Sequence, residues 1–413
     1  MLIFVFAALT LIKPRSGWGR LALFIPKLFS GSFIVAIAAL GVLVAAIGWL
    51  AGMDAVSIGL GLGAFLIAAR HIYRIVSRSH TLAWELSAIG PDKLHPGMLP
   101  SPWTGIWRVS EDCGWQQDVP IGTHPETGDV ILADLWQPAD PADRSGMGII
   151  YLHGSGWHYA DKDFGTRHYF RQLARQGHVI ADLAYTLAPK ADLFGMIADV
   201  KRAIGWMKGH AEELGIDPER IILMGGSAGG HLALLAGYTP NHPQFDPPNV
   251  TSDTSVCGVV SYYGPPDLVA QYDRFDELPG LTGRSKLERA FMTALERRFG
   301  FETIPVHRLL PEFMGGTPSQ IPELYAIGSV PTHIGPQCPP TLLLQGTHDF
   351  SGAAPEVKTL YSALRHAGQR AFLLELPDTE HGFDLYKPRW SPAAQAATYL
   401  TERFLAALQT GLG

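Results

Sequence analysis

Residues 220–231, Arg-Ile-Ile-Leu-Met-Gly-Gly-Ser-Ala-Gly-Gly-His, restrict the fold more than any other part of the chain. A short apolar run, Ile221 to Met224, stops at the glycine-flanked Ser227, and small residues suited to a helix follow. The five residues Gly225-Gly226-Ser227-Ala228-Gly229 fit the pattern G-x-S-x-G. That pattern marks a sharp turn from a strand directly into a helix, with the serine oxygen lifted clear of its own backbone. The turn takes a backbone conformation that a Cβ resists and packs closely against its neighbours, so glycines flank it. A chain organised this way needs a buried strand with a helix laid back over it, which is a layered α/β domain.

The segments around this turn agree with that architecture. Runs at 115–121 and 129–136 read as an edge hairpin. Further strands are expected at 148–153, 179–185, 221–224, 256–263, 341–345 and 372–376, several of them continuously apolar, as strands buried on both faces are. Helical stripes lie between them: Phe170, Leu173 and Ala174; Ile197, Val200, Ile204 and Met207; Val357, Leu360, Tyr361 and Leu364; and finally Leu400, Phe404 and Leu408. The alternation predicts a mostly parallel eight-stranded sheet with helices on both faces, occupying residues 85–413. Between Tyr263 and Thr341 the rhythm breaks, and Leu287, Phe291 and Leu295 mark an amphipathic helix. An insertion at about 265–335 follows a central strand, at the end where ligands bind in such sheets, and is expected to form a cap. A peripheral helix with no substrate role is the alternative.

The chain of 413 residues is 47% hydrophobic and only 17% charged, and the apolar excess is concentrated at one end. Residues 1–84 hold one acid, Asp54, and seven bases, leaving 25 bases against 37 acids for the remainder. No charge occurs between Leu28 and Met53, a run longer than the ~20 residues that cross a bilayer core. A second uncharged run after Asp54 extends to residue 75 if Arg70 and Arg74 snorkel. Residues 1–84 are therefore expected to form a membrane anchor, a transmembrane hairpin of 28–53 and 55–75. Gly48 with Gly52, and Gly59 with Gly63, have the spacing that lets two such helices approach closely. Basic residues 13–27 and 70–78 flank the hairpin, which by the positive-inside rule puts the body on the cytoplasmic side of an inner or plasma membrane. A single crossing by 28–53 is the competing topology and reverses that placement.

A serine hydroxyl becomes a nucleophile only when a base takes its proton, and the base needs a carboxylate to orient it. Asp349 follows the expected strand 341–345, and His381 follows 372–376, in Glu380-His381-Gly382-Phe383. Ser227, Asp349 and His381 thus occur in the order serine, acid, histidine, each after a strand end, as this kind of turn requires. His348 is a rival base and Asp378 a rival acid, whereas His231, one helical turn past Ser227, reads as structural. Donors for a developing oxyanion are expected from the backbone of Ala228 and of Gly154 and Ser155, in the glycine-rich loop His153-Gly154-Ser155-Gly156-Trp157. Trp103, Trp107, Trp157, Tyr262 and Tyr263 are available to line an apolar acyl pocket, Trp157 and Tyr263 foremost, with core packing as the plainer reading of each.

Three stretches carry a more specific resemblance: Tyr151 to Trp157, Tyr185-Thr186-Leu187-Ala188-Pro189, and Gly226-Ser227-Ala228-Gly229-Gly230-His231-Leu232-Ala233. They resemble the α/β-hydrolase esterases of the hormone-sensitive-lipase and feruloyl-esterase-like (BD-FAE) type, from about Asp129 to the C-terminus. The resemblance implies an α/β-hydrolase fold, a Ser-Asp-His triad falling on Ser227, Asp349 and His381, an oxyanion loop, a cap, and hydrolysis of carboxylic esters without a cofactor. Ser155 replaces the middle glycine of that family's HGGG loop, Lys190 replaces the glutamate of its YRLAPE motif, and Gly226 stands where aspartate or histidine is common.

The reading is a membrane-anchored serine carboxylester hydrolase acting on a small-molecule ester, with an apolar acyl group suggested by the anchor. An arylformamidase-type amidase uses the same apparatus, and a non-catalytic hydrolase-fold receptor or scaffold is the non-enzymatic alternative. No metal-ligand spacing or dinucleotide fingerprint is present, so neither metal nor cofactor is expected. The acidic body makes nucleic acid an unsuitable partner. Cys113, Cys257 and Cys338 are too few and too scattered for a disulfide framework.

Overall fold

The computed structural model describes the chain apart from residues 15–16, 91–94, 96, 106–107, 125–127, 248–252, 279–303, 305, 386 and 411–413. Eight strands form one sheet in the order β1-β2-β4-β3-β5-β6-β7-β8. β1 (Gly114–Thr123) and β2 (Val130–Gln137) are the expected antiparallel pair, and β2 runs antiparallel to β4 (Val179–Ala184). β3 (Gly146–Leu152) is parallel to β4 and to β5 (Ile216–Gly226), and β5 is parallel to β6 (Gly258–Tyr262). β7 (Thr341–Gly346) and β8 (Ala371–Leu376) complete the sheet. β3 is buried almost throughout and β5 is buried from Ile221 onward, which is why 148–153 and 221–224 read as unbroken apolar runs. The stripe Ile197, Val200, Ile204 and Met207 is the buried side of helix Leu193–Gly209. The amphipathic pattern at Leu287, Phe291 and Leu295 lies outside the described residues.

The chain divides into two compact units. One comprises Glu111–Leu343 with Ser351–Phe372; the other comprises Met1–Ser110 with Leu344–Phe350 and Leu373–Leu412. The second unit therefore joins the N-terminal head to the last segments of the chain. The described residues of its head include the helices α1 (Leu2–Leu9), α2 (Gly17–Ser32), α3 (Ile34–Leu50) and α4 (Ala55–Ser87).

The apolar run 28–53 is not one straight helix, as the sequence suggested. It breaks at Phe33, and the axes of Ala22–Ser32 and Ile34–Leu50 differ by 72°. Pro26 inside α2 lacks an N–H, and Ser30 Oγ donates back to the Pro26 carbonyl at 2.8 Å. With Gly31 and Ser32 following, this is a run where helices bend sharply. The second segment is longer than expected, continuing past residue 75 to Ser87, and starts where the Asp54 carboxylate accepts from Ser57 N–H at 2.9 Å.

The close approach of α3 and α4 also falls elsewhere than expected. A Cβ on Gly41 would lie 2.7 Å from the Gly61 carbonyl oxygen, and one on Gly61 equally close to that of Gly41. Of the expected residues, Gly48 packs on Ile58 of α4, where an added Cβ would lie 3.1 Å from that side chain, whereas a Cβ on Gly52 or Gly59 would meet nothing within 4 Å. In the same unit nearly every residue of the C-terminal helix Pro392–Gln409 is buried. Glu402 and Arg403 are accommodated because Leu99 N–H donates to Glu402 at 2.7 Å and Arg403 donates to the Leu99 carbonyl at 2.9 Å.

Candidate active site

In the unit that contains Glu111–Leu343, β5 ends at Gly226 and helix Ala228–Tyr238 begins two residues later. Ser227 between them has φ 55° and ψ −120°. A non-glycine residue there carries roughly 1–3 kcal/mol of strain and persists only where its surroundings overdetermine it. Ser227 N–H donates to the Tyr262 carbonyl on β6 at 2.9 Å, and His231 N–H donates to the Ser227 carbonyl at 3.0 Å. The flanking glycines are needed for space. A Cβ on Gly229 would lie 2.0 Å from the Leu152 carbonyl oxygen, and one on Gly225 would lie 2.4 Å from that of Gly229. Gly229→Ala should therefore lower stability by about 3 kcal/mol or more, since only backbone is available to yield. An unaltered thermal midpoint for this variant would contradict the packing described.

The register of the sheet places the glycine-rich loop against this turn. Leu152 at the end of β3 pairs with Gly225, so residues 153 onward leave the sheet level with Gly226 and Ser227. A Cβ on Gly154 would lie 2.9 Å from the Gly226 carbonyl oxygen and 3.1 Å from Ser227 Cβ. Ser155 and Gly156 have φ 89° and 68°, left-handed conformations that reorient successive N–H groups. Ala228 opens its helix, where N–H groups have no intrahelical acceptor and the helix dipole favours negative charge. Gly154, Ser155, Ser227 and Ala228 are thus gathered in one place.

Tyr185, noted in the sequence only as part of a motif, braces that loop. Its hydroxyl donates to the His153 carbonyl at 2.9 Å, and its ring stacks on the His153 imidazole at 4.5 Å. Burial pushes His153 down to about 4, so it is neutral at neutral pH. Trp157 is buried, stacked on Phe313 at 5.1 Å with its edge toward His231, and its backbone carbonyl accepts from Ala188 N–H at 3.0 Å. Tyr262 and Tyr263 are buried too. A Cβ on Gly226 would lie 3.1 Å from the Tyr263 hydroxyl, a physical reason for glycine at this position. His231 is structural: its Nε2 donates to the Gly328 carbonyl at 2.8 Å. Trp103 is partly exposed, and Trp107 lies outside the described residues.

Asp349 and His381 belong to the other unit. His381 Nδ1 donates to Asp349 Oδ2 at 2.9 Å, and the same oxygen accepts from Gln345 Nε2 at 2.9 Å. Burial alone would lower the His381 pKa, but the charge and hydrogen bond of Asp349 outweigh it and raise the imidazole above its usual value. The rivals are engaged elsewhere in this unit. Asp378 is ion-paired with Arg70 and Arg74, and His348 Nδ1 accepts from Lys27 Nζ at 3.0 Å. Burial, then the nearby Lys27 charge, pushes His348 down to about 4. Arg70, Arg74 and Lys27, read in the sequence as charges flanking the apolar runs, are paired with side chains of the segments that carry Asp349 and His381. Among the described residues no group of His, Cys, Asp and Glu is arranged to hold a metal ion.

A mainly parallel eight-stranded sheet with a strained serine turn after its fifth strand defines an α/β-hydrolase fold. The BD-FAE family profile matches residues 133–364, more than half of the chain, and the chain belongs to that family. Among similar proteins of Mycobacterium tuberculosis, "Probable carboxylic ester hydrolase LipM" is 28% identical over 78% of this chain and 67% of its own length. "Esterase LipC" is 32% identical over 64% of this chain and 60% of its own length. The chain thus spans about three fifths to two thirds of these relatives. The Arabidopsis thaliana isoprenylcysteine alpha-carbonyl methylesterase ICME is 25% identical over 57% of this chain and 50% of its own length. Among solved structures, Thermogutta terrifontis esterase 2 superposes with a TM-score of 0.52 at 23% identity, covering 72% of this chain and 95% of that one, a likeness of fold.

Proposed function

We propose that the protein is a serine carboxylester hydrolase. The observation that carries the reading is Ser227, held in a strained conformation with the Gly154–Ser155 loop packed on it. The hydrogen-bonded Asp349–His381 pair and the named relatives support it. In this mechanism His381 Nε2 takes the Ser227 proton as Oγ attacks the ester carbonyl carbon. The N–H groups of Gly154, Ser155 and Ala228 receive the developing oxyanion, usually the largest electrostatic contribution. The imidazolium, stabilised by Asp349, then protonates the departing alcohol. Water, deprotonated by His381, attacks the acyl-enzyme; the acid leaves and Ser227 regains its proton.

We further propose that the head seats this enzyme in a bilayer. Helix Ala55–Ser87 is long and apolar enough to span one, and the bent pair Ala22–Ser32 and Ile34–Leu50 suits a broken span or a re-entrant loop. Leu43, Ile47, Leu50, Val56, Leu62 and Leu66 on α3 and α4 are exposed, as lipid-facing side chains are. The substrate class that follows is an ester with an apolar acyl group reaching the site from the membrane. The orientation with the hydrolase domain toward the cytoplasm rests on the basic composition of residues 13–27 and 70–78, within which Lys27, Arg70 and Arg74 are paired with acidic side chains of the protein. The full chain should stay with membranes through alkaline carbonate extraction, and release into the supernatant would contradict the anchor.

A fluorophosphonate probe tests the central reading. Covalent labelling of the full chain at Ser227, with turnover of p-nitrophenyl esters of graded chain length, is the expected result. An unlabelled protein would point to a hydrolase-fold receptor, and faster turnover of N-formyl aromatic amines than of any ester would point to the amidase.

A further inference from the structure

The N-terminal head reaches the segment carrying the acid and the histidine through one buried ion pair. Lys27 Nζ on α2 donates to Glu380 Oε1 at 3.0 Å and to His348 Nδ1 at 3.0 Å. Glu380 immediately precedes His381, and His348 immediately precedes Asp349. Glu380 in turn accepts through Oε2 from the Phe350 backbone N–H at 3.0 Å, and Phe350 immediately follows Asp349. The backbone N–H of His381 is a further hydrogen-bond partner of the same carboxylate. One ammonium and one carboxylate therefore touch the residues on both sides of Asp349 and the residue before His381. One helical turn before Lys27, the Phe24 ring lies 4.3 Å from Phe350, whose ring meets the His381 imidazole edge-on at 5.4 Å.

We propose that Lys27 is a positioning residue for the acid and base of the site, so that the N-terminal head is a working part of the hydrolase as well as an anchor. The inference rests on the Ser-Asp-His reading above. The pair is almost wholly buried, with side-chain exposures of 1% and 2%. A buried ion pair is weak evidence for stability, because desolvation cancels much of the attraction; its better use is to specify one arrangement among several. Burial pushes Glu380 up to about 7 even with Lys27 drawing it down, so its ionised form depends on the ammonium. Without Lys27 the carboxyl becomes neutral at neutral pH and less effective as the double acceptor that ties the Asp349 segment to the His381 segment. A displacement of about 1 Å in an acid–base pair costs on the order of 10²-fold in rate. Neither Lys27 nor Glu380 need touch the substrate, so the loss falls on kcat.

The test uses the full chain in detergent and in vesicles, with a short soluble p-nitrophenyl ester, and refers kcat to active sites counted by complete fluorophosphonate labelling. Lys27→Met should lower kcat about 10²-fold with KM changed by less than about threefold. The double variant Lys27→Met/Glu380→Leu removes both charges and should recover thermal stability, yet its kcat should stay low because the two segments are no longer tied. Recovery of kcat together with stability in the double variant would overturn the proposal and leave the pair a packing feature. So would a wild-type kcat in Lys27→Met. If Lys27→Met does not accumulate, the double variant decides the matter alone. Ser227→Ala measured alongside separates the two ideas: turnover persisting there refutes the triad reading, whereas a silent Ser227→Ala beside a fully active Lys27→Met refutes only the role of Lys27.

Discussion

Ser227→Ala is expected to lower kcat for p-nitrophenyl esters by roughly 10⁵- to 10⁶-fold, with residual turnover still above the uncatalysed rate. The reasoning is chemical. Alanine supplies no nucleophile and no acyl-enzyme forms, while any oxyanion donors from Gly154, Ser155 and Ala228 are backbone groups that the substitution leaves in place. The variant should also fold, because the substitution removes only a hydroxyl and leaves the backbone hydrogen bonds of the turn in place. KM should change little. Steady-state kinetics on the full chain with a burst-phase control checks this, and a variant retaining more than about a tenth of parental kcat sinks the mechanism.

Asp349→Asn carries the second largest effect, about 10⁴-fold in kcat, because the amide would favour the wrong tautomer of His381 and cannot stabilise the imidazolium. The pH profile adds a sign that a merely structural role would not produce. Asp349 holds His381 above its usual value, and His381 accepts a proton only when neutral. Activity of the parent should therefore be present at high pH and lost as pH falls through the raised pKa of His381. In Asp349→Asn the charge that most raises the imidazole is gone, burial is opposed only by the smaller contributions of Glu380 and Asp384, and the acid limb of kcat/KM should move down. A limb that stays in place would show that another group governs it. Gln345, which shares the same carboxylate oxygen, should soften neither effect, since it donates to Asp349 and does not reach the role of an anion.

The parts of this protein that could be read in advance are those governed by local rules. The strand Ile221 to Met224 announces itself by unbroken apolarity, and the turn at Ser227 by the glycines that leave room for it. Asp349 and His381 stand out because each follows a strand end, and their hydrogen bond lies within one unit. The helix stripe at Ile197, Val200, Ile204 and Met207 obeys a period of 3.6 and is buried as that period implies. His231 read as structural because four residues along a helix from Ser227 is a fixed geometry, and its ring is taken by the Gly328 carbonyl.

What could not be read depends on partners far away in the chain. Lys27 looks like a charge beside an apolar run, and nothing near it announces that Glu380 and His348, more than 300 residues on, accept its hydrogen bonds. Arg70 and Arg74 read as bases at the end of an apolar run, and nothing near them announces their ion pairs with Asp378. The helix crossing at Gly41 and Gly61 was equally hidden, because several glycine pairs have a suitable spacing and only the path of the chain selects one. The bend at Phe33 had a local signal in Pro26 and Gly31-Ser32, but apolar composition outweighed it in the reading of a single span.

The amino-acid sequence by itself determined the α/β alternation, the serine turn and the identity of the residues after the strand ends, because hydrophobic period and turn chemistry act over a few residues. Only the tertiary structure decided which charges are buried, which glycines let two helices meet, and that α2 is tied to the residues around Asp349 and His381. Burial and ion pairing are properties of a place in the folded chain, and a residue acquires its place only when distant segments pack.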